Sequence, residues 1–299
     1  MEPKTKEKIL LIINPNSGNH SVNWTDEITQ FFATLDYTIE LYLLKKGCSL
    51  QEIKDKIAQF DPDKVAAVGG DGTVGLVAEC ILQTNILFGI LPAGSANGLA
   101  KELGISEVPA EALQTLISGK NTTVHGTMIN NNLCIHLSDV GFNAKMIKQF
   151  QAENLRGFWG YFLANVKVAW SGLFVNSRFR VRLTIDGQTI RRKAITIVIA
   201  NATKYGIGAR INPIGTLEDD LFEVIVIKKI SIAEVFKMLI THEDFNPHKT
   251  EVFEAKSLHM KLSRNIHFQV DGEYLGKVNE IEAHLIPAAL QLIVPDIKI

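Results

Sequence analysis

Glycines and small polar residues cluster three times in the first third of the chain, each time directly after an apolar run and once around a carboxylate. Ile9 to Ile13 leads into Asn14-Pro15-Asn16-Ser17-Gly18, Val65 to Val68 into Gly69-Gly70-Asp71-Gly72-Thr73, and Ile86 to Leu91 into Pro92-Ala93-Gly94-Ser95-Ala96-Asn97. Loops of this composition let backbone N–H groups and helix N-termini close on phosphate oxygens. The chemistry they point to is binding of a phosphate-rich ligand. Asp71 narrows it, because a carboxylate set into such a loop repels pyrophosphate unless a divalent cation or a substrate hydroxyl intervenes. It can organise Mg²⁺ through water or accept the proton of an attacking hydroxyl, both recurring roles in phosphoryl transfer. The alternative is a cap on the helix that begins near Thr73.

Gly70-Asp71-Gly72-Thr73-Val74-Gly75 also spells G-x-G-x-x-G. A dinucleotide fingerprint belongs on the first strand of its unit and needs an acid about 20 residues further on for the ribose. Here the next strand runs instead into Pro92-Ala93-Gly94. No G-x-x-x-x-G-K-[ST] occurs, which excludes a Walker-type phosphate loop.

Positioning three loops at one edge requires strands that alternate with helices. Hydrophobic periodicity predicts strands at Ile9–Ile13, Thr38–Leu43, Val65–Val68 and Ile86–Leu91, and helices at Trp24–Leu35, Leu50–Phe60, Val74–Leu82, Ala96–Leu103 and Pro109–Ser118. Such alternation builds a parallel sheet with right-handed crossovers. After Lys120 the pattern becomes strand-rich: Leu133–Leu137, Ile195–Ala200, Phe222–Ile227, Ser257–Leu262, Ile266–Val270, Ile281–Leu285 and Leu290–Val294, with a hairpin turn at Asp186-Gly187 and one helix at Ile232–Leu239. The expected fold class is an α/β N-terminal domain with a parallel sheet, residues 1–126, followed by an antiparallel β-sandwich, residues 127–299, whose last strand is free to return to the first domain. The cleft between the domains is the expected active site.

The chain of 299 residues is 46% hydrophobic and 21% charged with a formal net charge of −1, so no global field favours nucleic acid or an anionic membrane, and a local basic patch remains open. Cys48, Cys80 and Cys134 match no zinc spacing and fit a reducing compartment. The N-terminal MEPKTKEK carries no secretory signal, so a cytoplasmic protein is expected. Leu155 to Val175 has nearly the length of a membrane span, but Asn165 and Lys167 interrupt it and Phe158, Phe162, Val166, Ala169 and Leu173 recur at helical spacing. It reads as a core helix or an acyl-chain-binding helix. Arg178, Arg180, Arg182, Arg191, Arg192 and Lys193 flank the Asp186-Gly187 turn, as a solvated sheet face or as a patch for phosphate or lipid headgroups.

These motifs resemble the diacylglycerol and sphingosine kinase catalytic family, which is related to NAD kinases and 6-phosphofructokinases. Asn14 to Gly18 is similar to that family's N-P-x-S-G, Gly69 to Thr73 to its G-G-D-G-T and Pro92 to Asn97 to its P-x-G-[ST]-x-N. Further matches at Gly141 to Ala144, Arg156-Gly157 with Tyr161, Asn212-Pro213 to Val224 and Val270-Asp271-Gly272-Glu273 extend the resemblance over essentially the whole chain. It implies an ATP site lined by Asn14, Pro15, Ser17, Gly18, Gly69, Gly70, Gly72, Thr73, Ser95 and Asn97. It implies as base either Glu273, with Asp271 beside it, as in the bacterial lipid kinases, or Asp71, as in the sphingosine kinases. A structural Mg²⁺ site maps onto Asp219 with Thr216 and Leu221, where Asp220 replaces the family's glycine.

The resemblance has gaps. Leu76 and Glu79 stand where the family has glutamate and asparagine, Gly98 where bacterial diacylglycerol kinases have aspartate, and His125 where they have another acid. Sphingosine kinase-like proteins share the first of these two losses, and Asp139 offers a replacement acid. The implied activity is Mg-assisted, ATP-dependent phosphorylation of a diacylglycerol- or sphingoid-like lipid alcohol, at an inner membrane surface if the protein docks there. A homodimer is an open possibility. The alternatives are an NAD kinase-like acceptor, for whose N-E dipeptide after a later strand no clear counterpart is found, and a nucleotide- or lipid-binding protein that has lost catalysis.

Overall fold

A strand buried on both faces reads as a continuous apolar run, and Ile9 to Ile13 are all buried. They belong to a computed structural model that describes residues 6–18, 22–141, 144, 178–201, 204–205, 209–210, 219–229 and 249–296. The chain divides into two units, Met1–Val124 with Ala288–Ile299, and His125–Pro287.

The first unit runs β1 (Glu7–Ile13), α1 (Trp24–Phe32), β2 (Tyr37–Leu43), α2 (Leu50–Phe60), β3 (Lys64–Gly69), α3 (Asp71–Cys80), β4 (Leu87–Pro92), α4 (Gly98–Glu102) and α5 (Pro109–Ser118), and then the start of β5 (Lys120–Ile129). Strands β4, β3, β1 and β2 pair in that order and in parallel, as the β/α alternation predicts. Gln291 and Leu292 of the final strand add to β4, also in parallel. The helices follow local chemistry. Ser49 and Glu52 form a reciprocal capping box at the start of α2, which buries Ile53 and Ile57 on one stripe. Two helix starts differ from the sequence expectation. Helix α3 begins at Asp71 rather than Val74 because Thr73 and Val74 already donate to the Gly70 carbonyl. Helix α4 begins at Gly98 rather than Ala96 because Asn97 takes a left-handed conformation, φ 52°.

The second unit contains β6 (Asn132–Cys134), β7 (Leu137–Gly141), β8 (Phe179–Ile185), β9 (Gln188–Ala194), β10 (Thr196–Ala200), β11 (Lys204–Tyr205), β12 (Ala209–Arg210), β13 (Phe222–Ile227), β14 (Thr250–Ala255), β15 (Ser257–Val270) and most of β16 (Glu273–Val294). It is a β-sandwich whose two layers share β15. Residues 258–262 of that strand pair with β8, residues 268–270 pair with β7, and a register shift between Lys261 and Ile266 separates the halves. Irregularities of this kind let one strand pass between layers. Phe179, Val181 and Leu183 of β8, Phe222 and Val224 of β13, and Met260 and Phe268 of β15 meet in one core.

The expected pairs Ser257–Leu262 with Ile266–Val270, and Ile281–Leu285 with Leu290–Val294, are therefore each one strand. Pro287 and the left-handed Ala288 (φ 47°) suggest a break in the sequence where β16 continues, at the position where the chain changes unit. Leu133–Leu137 is instead the end of β6 and the start of β7. Strands β5 and β14 have no strict apolar alternation and escaped the pattern. The helices expected at Leu155–Val175 and Ile232–Leu239 lie outside the described residues. No helix among the described residues is long and apolar enough to cross a membrane.

Candidate active site

The three loops leave the carboxyl ends of β1, β3 and β4, which are neighbours in register: Val68 pairs with Ile13 and Gly69 with Pro92. Loop one is tied to loop two, since Asn14 donates its backbone N–H to Val68 O at 2.9 Å and its amide Nδ2 to Thr73 Oγ1 at 3.0 Å. Loop two is tied to loop three, since Ala93 N–H donates to Gly69 O at 2.9 Å. Glycine is required where the loops press together. A Cβ at Gly94 would stand 2.4 Å from Gly70 Cα, and one at Gly18, already at φ 67°, would stand 2.3 Å from Ala93 O.

Asp71 belongs to this scaffold. Its Oδ2 accepts from Gly98 N–H at 3.0 Å and its Oδ1 from Leu99 N–H at 3.2 Å, so it caps α4 rather than its own helix, whose N-cap Gly70 offers no side chain. Asn97 closes loop three from within: its Oδ1 accepts from Gly94 N–H and its Nδ2 donates to Gly94 O and to Glu107 Oε1. The Asn97 amide, against the opposing effect of burial, holds the Glu107 carboxyl below the usual glutamate range, with Lys101 assisting. Glu107 is a supporting residue that no sequence motif announces. Thr73 and Asn97 are buried, whereas Pro15, Gly72 and Ser95 are exposed and Ser17, Gly18 and Gly70 half-buried. The buried residues set the shape of the loops, and the others are wholly or partly open to solvent.

In the second unit the Asp271-Gly272-Glu273 segment is a two-residue hairpin turn. Asp271 and Gly272 both have positive φ, 45° and 85°, and Val270 pairs with Glu273 across them. The Asp271 carboxylate accepts backbone N–H bonds from Ile135 (2.8 Å), His136 (3.1 Å) and Leu137 (2.9 Å), with Cys134 Sγ at 3.4 Å. Burial pushes its carboxyl up, and these N–H groups act in the opposite direction. Asp271 therefore holds the β6–β7 connection. Glu273 is exposed and engages no described side chain. Asp139 is buried, accepting from Gln269 Nε2 at 2.6 Å and Ala144 N–H at 2.8 Å, so it is a bracing group.

Of the expected metal ligands, Asp219 and Leu221 are described and half-buried, and Thr216 lies outside the described residues. Asp220 pairs with Lys256, whose ammonium holds its carboxyl low. No group of three or more His, Cys, Asp or Glu side chains among the described residues is placed to hold a metal ion. At the position of the missing family acid, the enclosed His125 Nδ1 has no hydrogen-bond partner among the described residues, nor has His136 Nε2, and Asn201 bridges their backbone carbonyls. Burial pushes the Cys80 thiol up to about 11 and the Cys134 thiol well above the usual value, which makes neither a nucleophile at neutral pH.

Comparison with known proteins agrees with this two-part construction. Residues 8–129 match the model of the diacylglycerol kinase catalytic domain, and residues 141–294 that of the YegS C-terminal NAD kinase beta sandwich-like domain. The Chromohalobacter salexigens protein named "Probable lipid kinase YegS-like" is 27% identical over 242 residues, 78% of this chain and 76% of its own. The diacylglycerol kinase of Staphylococcus aureus is 23% identical over 281 residues, 91% and 88% of the two chains. A crystal structure of a diacylglycerol kinase from Bacillus anthracis matches with a TM-score of 0.75 at 19% identity, over 98% of this chain and 99% of that one, a likeness of fold.

Proposed function

Because this chain belongs to the family built from a diacylglycerol kinase catalytic domain and a YegS-type C-terminal domain, we propose that it transfers the γ-phosphoryl group of Mg-ATP to a lipid alcohol. The observation that carries the nucleotide half is the interlocked set of glycine loops at the carboxyl ends of β1, β3 and β4. Gly72 and Ser95 are exposed there, and the first N–H groups of α3 offer dipole and hydrogen bonds to phosphate.

In the reaction, the acceptor hydroxyl oxygen attacks the γ-phosphorus, the bond from that phosphorus to the β–γ bridging oxygen breaks, and ADP leaves. A base takes the hydroxyl proton. We assign that role to Glu273 rather than Asp71 or Asp271. Both oxygens of Asp71 and both of Asp271 are occupied by backbone N–H groups, whereas Glu273 is exposed and unengaged by described side chains. Asp71 then acts by positioning loop three. Glu273→Gln should lower kcat by about 100-fold or more with KM for ATP and the thermal midpoint unchanged. Undiminished turnover would remove Glu273 from the mechanism.

A second reading, a nucleotide-binding protein without turnover, is favoured by Gly98 and His125 at positions that are acidic in bacterial relatives. Calorimetric titration with Mg-ATP beside a turnover assay separates the two. Binding without turnover over a broad panel of lipid alcohols selects the second reading.

A further inference from the structure

One exposed face of the second unit carries cations in register across three strands. Arg182 stands opposite Arg191 on one side and Lys261 on the other, and Arg180 stands opposite Lys193. Strand alternation explains the shared face: Phe179, Val181 and Leu183 are buried while Arg180 and Arg182 are exposed, as are Arg191, Lys193 and Lys261. Neighbouring strands lie about 5 Å apart and alternate residues about 7 Å apart, so five cations occupy a patch of roughly 10 by 7 Å. That is about one Debye length at physiological ionic strength, too short for screening to uncouple them.

Like charges directly opposite one another weaken a sheet, and a surface shaped only by solubility intersperses both signs. Here Arg180, Arg182, Arg191 and Lys193 have no ion-pair partner among the described residues, and Lys261 shares Glu280 with His259. The contrast with Arg192 is instructive. It sits opposite Val181 on the other face and is neutralised by Glu251. The cationic face is also concave: a shallow depression of about 410 Å³ is lined by Arg182, Arg191, Lys261, His259 and the hydroxyls of Thr184 and Thr189, which lie 3.0 Å apart. With a net charge of −1 over the whole chain, this positive field is local.

We propose that this face docks on an anionic bilayer, its guanidinium and ammonium groups and the two threonine hydroxyls taking the phosphates of lipid headgroups. The depression is open and its array holds more cations than a single phosphate needs, which suits a surface of many headgroups. Only the choice of a bilayer over a soluble polyanion rests on the lipid-acceptor reading above.

The test is co-sedimentation with phosphatidylglycerol–phosphatidylcholine vesicles against pure phosphatidylcholine vesicles, without ATP or acceptor, so that its outcome is independent of phosphotransfer. The wild-type chain should bind the anionic vesicles selectively and release them when ionic strength rises from about 0.05 to about 0.5 M. Arg182→Gln with Arg191→Gln should weaken binding by about fivefold per charge, roughly 25-fold together. Lys54→Gln with Lys120→Gln, the same charge change on exposed residues of the first unit, should not. The arginine variant should also unfold no earlier than wild type, because it relieves like-charge contact. Selective binding that survives the arginine changes, equal loss in both variants, or no preference for anionic vesicles overturns the proposal. So does binding of duplex DNA or inorganic phosphate by the wild type, lost in the arginine variant, when the vesicles are not bound.

Discussion

At Asp71 a carboxylate set in a glycine loop is occupied in holding two loops together. In the sequence it invites two roles, a base beside phosphate or a cap on the following helix. Its oxygens instead accept the first two N–H groups of α4, some 27 residues ahead, and so fasten loop two to loop three. Losing a cap of this kind costs about 1 kcal/mol. Asp71→Ala should therefore lower the unfolding free energy by about that amount, read by urea denaturation, while Asp71→Asn should keep part of it, because its single amide oxygen still accepts one of the two N–H groups. An Asn variant as unstable as the Ala variant would contradict the latch. The capping role was legible in the residue type. Its target was not, since Gly98 and Leu99 are brought to Asp71 by the parallel pairing of β3 and β4, a contact without any local pattern.

At the scale of elements, identical dipeptides met different fates in the sequence analysis. Asp186-Gly187 was recognisable as a turn from its alternating flanks, and both residues have positive φ, 44° and 84°. Asp271-Gly272 carries the same signal and forms the same kind of turn, yet the kinase motif around it drew attention to its chemistry. The carboxylate of Asp271 spans from this turn to three successive N–H groups of the β6–β7 connection. Removing it leaves those donors without their acceptor, so Asp271→Ala should cost about 3 kcal/mol. The loss should appear as an earlier unfolding midpoint even in the absence of any substrate. A change under about 0.5 kcal/mol, the range of ordinary surface substitutions, would show that the bracket is not what holds this connection. The same physics explains why β15 and β16 were each read as two strands. A bulge near Lys261 and the Pro287-Ala288 step interrupt the side-chain pattern without ending the strand.

For the molecule as a whole, the change from β/α alternation to hairpins near Lys120 foretold an α/β unit and a β-sandwich, because hydrophobic period reports which faces an element buries. Assignment of Ala288–Ile299 to the first unit follows from two paired residues, Gln291 with Leu87 and Leu292 with Phe88, a register that no local signal encodes. The edge of glycine loops was legible because glycine after a buried strand permits the close loop packing found at Gly18 and Gly94. The proposed acceptor was not, because the choice of a lipid would depend on the shape of a surface that loop motifs do not describe. Phosphoryl transfer supported by these loops despite Gly98 and His125 is the proposal on which the functional reading rests. Its most direct test supplies ATP labelled at the γ-phosphate with Mg²⁺ and a panel of diacylglycerol and sphingoid alcohols, and follows label into the lipid fraction. Label in a phosphorylated lipid, lost with Glu273→Gln, is the predicted result; tight Mg-ATP binding with no label in any lipid would contradict it.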